Sequence, residues 1–277
     1  MRLLVLNPNT SEAVSGRLRM VLSSGLMPGE QLRVETAASG LAYIGDVAAM
    51  AVGAQAARAS LQGVMAERVA PGDGRAAGAG LGDGPAAADH ATDECFDAVL
   101  LACFADLDTA GLQALAGRPA VSLLGASVRM AARAGRRWAV VTGGAGWQQL
   151  LPEMFAVAAA SQAVAGELVC VRTFEVQDPA IAGDPLRMQA EIARLARLCA
   201  DEDGADVVII GGAGLGGLAP AGAVGRRDVL VLDSVLCGLQ VARESINPAP
   251  LRATRSGSGP GPAAVTVAVV PGNHNHD

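Results

Sequence analysis

Lysine is absent from this sequence; all 21 of its basic residues are arginine. Without lysine there is no Schiff-base partner for pyridoxal phosphate and no P-loop amine for nucleotide phosphates. Histidine is almost absent too. His90, His274 and His276 are the only three, and none ends an apolar run, so no Ser/His/Asp set can be assembled. Aromatic residues make up 3% of the chain, which leaves Ala, Val and Leu to fill the core. The five cysteines contain no CxxC pair, and their number is odd. They read as reduced thiols of a cytoplasmic protein, with no disulfide framework and no metal-ligand spacing. The opening Met1–Leu6 run is too short for a signal h-region. No uninterrupted apolar stretch of about 20 residues offers a membrane span. A formal charge of −6 supplies no basic face for nucleic acid. What remains is a protein for a small-molecule ligand, with a homo-oligomer left open.

What the chain does have is short apolar runs that stop abruptly at small or polar residues. Expected strands are Leu3–Leu6, Leu32–Thr36, the run through Leu101, Ala120–Leu124, Arg136–Thr142, Glu167–Glu175, Val207–Ile210 and Asp228–Leu232. Helical patterns fall between them: one after a Thr10 or Ser11 cap, Asp46–Val69, a short one near Leu112, one from Trp147, Pro185–Cys199, and one after Asp233. Strands alternating with helices imply an α/β fold with parallel sheets, whose chemistry sits beyond the carboxyl ends of the strands. Residues 71–94 are Gly-, Ala-, Pro- and Asp-rich without apolar period and read as a flexible insertion; from about 246 the chain reads as a poorly ordered tail.

The pattern is stated twice. The Asn7–Cys103 spacing exceeds the Thr142–Gly212 spacing by about the length of the 71–94 segment. This predicts two pseudo-symmetric lobes facing each other across a cleft. The first would hold residues 1–117 together with 234–277, and the second residues 118–233. In that arrangement Cys103, directly after Val99-Leu100-Leu101-Ala102, stands at the cleft mouth, where loop amides can tune a thiol for acid/base work. Gly212 occupies the same place in the second half.

Leu4-Val5-Leu6-Asn7-Pro8-Asn9-Thr10-Ser11 resembles the opening of hydantoin racemases of the aspartate/glutamate racemase superfamily. Leu101-Ala102-Cys103-Phe104-Ala105-Asp106 resembles their first catalytic cysteine segment, and Trp138–Thr142 and Gly211–Leu215 the matching elements of the second lobe. The resemblance covers about residues 2–245 apart from the insertion. It implies cofactor-free proton transfer at a carbon acid, with one thiol on each face of the substrate. On that resemblance Cys103 is the acid/base. Asn7, Asn9, Thr10, Phe104, Ala105, Thr142, Gly212 and Ala213 would surround the substrate and hold its carbonyl or carboxylate. The chain departs from the pattern at three positions. Gly212 stands where the second cysteine belongs, and Gly45 and Gly125 stand where hydantoin racemases usually carry glutamate. One thiol leaves three outcomes open: slow racemisation with water on the second face, one-base decarboxylation resembling arylmalonate decarboxylase, or binding without turnover. Cys237 could stand in for the lost thiol, though its place inside a helix favours a core role. A separate reading comes from Gly212-Ala213-Gly214-Leu215-Gly216-Gly217. It matches the dinucleotide fingerprint G-x-G-x-x-G after a strand, with Asp233 ending the next strand.

Overall fold

The computed structural model describes residues 1–67, 96–175, 184–225 and 228–247. The 71–94 insertion, His90, the two tail histidines and almost all of the expected C-terminal tail lie outside the described residues.

Two four-stranded parallel sheets form the framework. In the first, β1 (Arg2–Asn7), β2 (Gln31–Thr36), β3 (Ala98–Leu101) and β4 (Ala120–Ser122) lie in the order β2-β1-β3-β4. In the second, β5 (Arg137–Gly143), β6 (Glu167–Phe174), β7 (Val207–Ile210) and β8 (Leu230–Asp233) lie in the order β6-β5-β7-β8. The orders are the same once β1 is matched with β5, and β3 with β7. The two central strands of each sheet are buried on both faces, which explains their unbroken apolar runs.

Helices are α1 (Glu12–Gly25), α2 (Val47–Glu67), α3 (Thr109–Ala116), α4 (Leu123–Ala134), α5 (Trp147–Ser161), α6 (Pro185–Asp201) and α7 (Ser234–Ile246). Side chains at the strand ends start several of them. Ser11 accepts from the Val14 amide and caps α1, Asp184 caps α6 ahead of Pro185, and Asp233 accepts from Val235 and Leu236 to cap α7. Among the described residues no helix is long and apolar enough to cross a membrane.

Helix α4 departs from the sequence expectation. Leu123 and Leu124 read as the end of a strand, but Ser122 accepts the Gly125 amide and turns the chain into a helix there. β4 itself pairs with β3 and completes the first sheet, although it falls beyond the expected lobe boundary at 117/118. We therefore place the proposed boundary beyond Ser122. α7 packs on α1, α4, β3 and β4, so this helix returns the chain to the first sheet. Arg243 fastens it there with a half-buried ion pair to Glu30 at 2.5 Å and a bond to the Gly25 carbonyl, and the guanidinium holds the Glu30 carboxyl below its ordinary range.

One apolar cluster joins the first sheet to one face of the second through Trp138, Val140, Val207 and Ile209. The alternate residues Ala139, Val141, Val208 and Ile210 face a second cluster beneath α6.

Candidate active site

β3 and β7 end against a common cleft of about 430 Å³, a size suited to a small molecule. Cys103 comes two residues after the end of β3, and Gly212 two residues after the end of β7; both line this cleft. Asn9, Phe104, Thr142 and Ala213 line it as well.

Cys103 is 7% exposed. The Phe104 and Ala105 amides point at its sulfur and favour the thiolate, but burial outweighs them and its pKa is pushed up to about 12. At neutral pH the group is a thiol, poised to give a proton. Its neighbour Phe104 lies against Gly211, where any side chain would collide with the ring. Phe104 also packs on Phe155, at 6.1 Å between centroids, which ties the Cys103 turn to the core.

Gly212 adopts φ 133°, ψ 138°, a conformation L-residues rarely take. Its amide donates to the Ser234 hydroxyl at 3.2 Å. A Cβ built there would meet only Leu215 and Thr142 at ordinary contact distance, 3.7 Å or more. The cleft wall at Gly212 therefore has room for a side chain, and the backbone is what resists one.

Three expected ligand residues do something else. Asn7 is fully buried, and its carboxamide is consumed at home. It donates to the Ser15 hydroxyl at 2.9 Å and the Ser11 carbonyl at 3.2 Å, and accepts from the Asn9 amide at 3.3 Å. Thr10 is absent from the cleft lining, and its amide ties the turn to the Leu41 carbonyl at 2.9 Å. Ala105 is buried and acts only through its amide on the Cys103 sulfur. Two others are constrained. The Asn9 oxygen accepts the Ser11 amide at 2.9 Å, leaving its NH₂ as the donor it can offer a substrate. The Thr142 hydroxyl gives its proton to the Gly211 carbonyl at 2.7 Å, so it sets the β7 loop and has only lone pairs to spare.

Tyr43 and Arg17 also line the cleft, and sequence reasoning missed both. Tyr43 reaches across from the loop after β2. It donates to the Gly143 carbonyl at 3.0 Å and accepts from the Trp147 indole at 3.1 Å. Its being the only tyrosine in the chain was the one available signal. Gly45 follows from Tyr43, because a side chain at 45 would collide with the ring. Gly125 sits in the first turn of α4, away from the cleft lining. Among the described residues lining the cleft, Arg17 is the only charged one; it donates to the Gly216 carbonyl at 3.3 Å.

Neither rescue nor nucleotide binding finds support in this geometry. Cys237 is 4% exposed inside the main apolar cluster and does not line the cleft. The Gly212–Gly217 loop contains a single 3₁₀ turn, Ala213–Leu215, and among the described residues no helix follows it before β8 whose N-terminus could hold a pyrophosphate. Asp233, the acidic residue of that fingerprint reading, is buried and occupied with the amides of Gly217, Val235 and Leu236.

The Asp/Glu/Hydantoin racemase family model matches residues 3–242. The chain belongs to that family. Among solved structures it is similar to the allantoin racemase AllR from Pseudomonas fluorescens. That likeness has 22% identity and a TM-score of 0.66, over 94% of this chain and 100% of that one. It is similar also to allantoin racemase from Klebsiella pneumoniae, with 18% identity and a TM-score of 0.67 over 90% of this chain and 88% of that one. A glycine-to-cysteine mutant of arylmalonate decarboxylase shares the fold at 14% identity and a TM-score of 0.53, over 93% and 97% of the two chains. No curated protein matches at the sequence level.

Proposed function

We propose that this protein is a one-thiol member of its family. It moves a proton at a single face of the carbon acid of a hydantoin-like or amino-acid-derived substrate, with Cys103 as the acid/base and no cofactor. The observation that carries this reading is the pairing of Cys103 with Gly212 at equivalent strand ends on one cleft. Inversion without turning the substrate over needs an acid/base group within reach of each face. Apart from Cys103, the titratable side chains among the described lining residues are Tyr43 and Arg17. The Tyr43 hydroxyl is engaged on both sides, and burial raises its pKa, so it is a poor second base.

Substrate would lie between the Cys103 and Gly212 turns, with the Asn9 NH₂ and loop amides facing the oxygen on which charge develops. Arg17 at the rim favours substrates that carry a carboxylate or an ionised imide.

A second reading is favoured by the protonation state of Cys103. A thiol that stays neutral is a better donor than acceptor. If substrate loses carbon dioxide, the electron pair of the broken C–C bond remains on carbon as an enolate. The Cys103 S–H then delivers its proton there, and the thiolate regains one from water. Incubation with hydantoins, allantoin, acidic amino acids and α-substituted arylmalonates in D₂O separates the readings. One-face exchange puts deuterium at the α-carbon while optical rotation persists. Decarboxylation releases carbon dioxide and leaves one enantiomer in excess. Neither signal from any substrate, with thermal stabilisation by one of them, would leave a binding protein.

A further inference from the structure

Away from the cleft, the Sγ atoms of Cys170 and Cys199 and a carboxylate oxygen of Asp203 lie within 4.8 Å of one another. They come from three elements: strand β6, the last turns of α6, and the turn that follows it. A bulge brings them together. Trp138 pairs with Leu168 but Ala139 pairs with Cys170, so Val169 is an extra residue in β6. As a result two consecutive side chains, Val169 and Cys170, both pack on the cluster beneath α6, while Leu168 and Val171 pack on the other. In a regular strand Cys170 would point away from Cys199. Asp203 is held from both sides of its backbone. Its amide donates to the Leu198 carbonyl at 3.3 Å, and its own carbonyl accepts from Arg137 at 3.3 Å. Its carboxylate takes two bonds from Arg172, at 2.7 and 3.1 Å, and accepts from the Cys170 thiol.

We propose that Cys170, Cys199 and Asp203 form a binding site for a thiophilic divalent cation of the zinc class, separate from the catalytic cleft. Two sulfurs and a carboxylate oxygen supply three donors of a tetrahedral set, and the half-buried side of Cys170 leaves the fourth to water. Binding would displace the two thiol protons. Two thiolates and a carboxylate then carry three negative charges, balanced by the ion and the adjacent Arg172. A disulfide between the same sulfurs would use neither Asp203 nor Arg172, and so explains less of what is assembled there. The ion would pin the end of α6 to β6. No sequence motif marks the site, because its cysteines are distant in the chain and meet only through the bulge.

Cadmium titration of the reduced full-length chain tests this. One ion should bind with sulfur-to-cadmium charge-transfer absorption, and zinc should compete it away. Histidines of the tail give no such band. The band and the rise in Tm with added zinc should persist in Cys103→Ser and vanish in Cys170→Ser. Asp203→Asn should keep the band and weaken affinity by at least tenfold. Cys199→Ser, at a fully buried position, could fail to fold; the half-buried Cys170→Ser, checked by circular dichroism before titration, therefore decides. No band in the wild type, a band surviving Cys170→Ser, or a band lost only in Cys103→Ser would overturn the proposal.

Discussion

The first and second sheets repeat one design, and they differ where it matters for chemistry. After β3 the chain continues in a tight turn whose Phe104 and Ala105 amides point at a buried sulfur. After β7 it passes through a left-handed glycine, Gly212, with open space where a second sulfur could stand. The flanking strands repeat this contrast in a milder form. Asn7 at the end of β1 and Thr142 near the end of β5 line up in the two sheets, and both spend their polar atoms on the protein itself. A two-fold scaffold thus supplies symmetry of position without symmetry of function. One loop keeps an acid, while the other keeps a shape.

The sharpest way to break this comparison is to remove the acid. Cys103→Ala should lower turnover by about 10²–10⁴-fold, the usual worth of a positioned proton-transfer group. Unchanged rates would take the thiol out of the mechanism. The next test concerns its protonation. With a pKa of about 12 against 9.0 for an ordinary thiol, Cys103 should hold about a thousandfold less thiolate at neutral pH. Iodoacetamide labelling at this residue should therefore be slow at pH 7 and climb with each pH unit toward 12; rapid labelling at pH 7 would contradict it. The sign for stability follows. The unfolded thiol ionises near 9 and the folded one only near 12, so this group's contribution is intact below pH 9 and is lost as pH rises between those values.

A third test fills the bare wall. Gly212→Cys finds space but inherits a backbone that only glycine adopts readily, so it should cost about 1–3 kcal/mol in a denaturant melt. It should also bring loss of optical rotation that the wild type lacks. The smallest effect on chemistry is expected at Asn7. Asn7→Ala leaves the buried Ser15 hydroxyl and the Ser11 carbonyl short of a partner, which should cost about 1–3 kcal/mol of stability with KM nearly unchanged. A large KM change there would return Asn7 to the binding site.

Strand ends were the legible part of this molecule. Buried parallel strands write themselves as unbroken Val/Leu/Ile runs, and Cys103 and Gly212 could be placed from where those runs stop. α4 was hidden because Leu123 and Leu124 extend such a run, and nothing local says that Ser122 will serve as a helix cap. Tyr43 was hidden for the opposite reason. Its loop has no period, and its role depends on Gly143 and Trp147, which are far away in the chain. Asn7 and Thr10 shared a polar turn with Asn9, and only the packing of α1 decides which carboxamide is free. The G-x-G-x-x-G match failed because a fingerprint of glycines does not specify the helix that must follow it.

The direct test of the one-thiol account is a single incubation in D₂O of one enantiomer of a turned-over substrate, with α-deuterium content and optical rotation followed together. If Cys103 serves one face alone, deuterium enters while rotation stays near its starting value. Rotation decaying in step with exchange would show a second acid/base group at work and contradict the account.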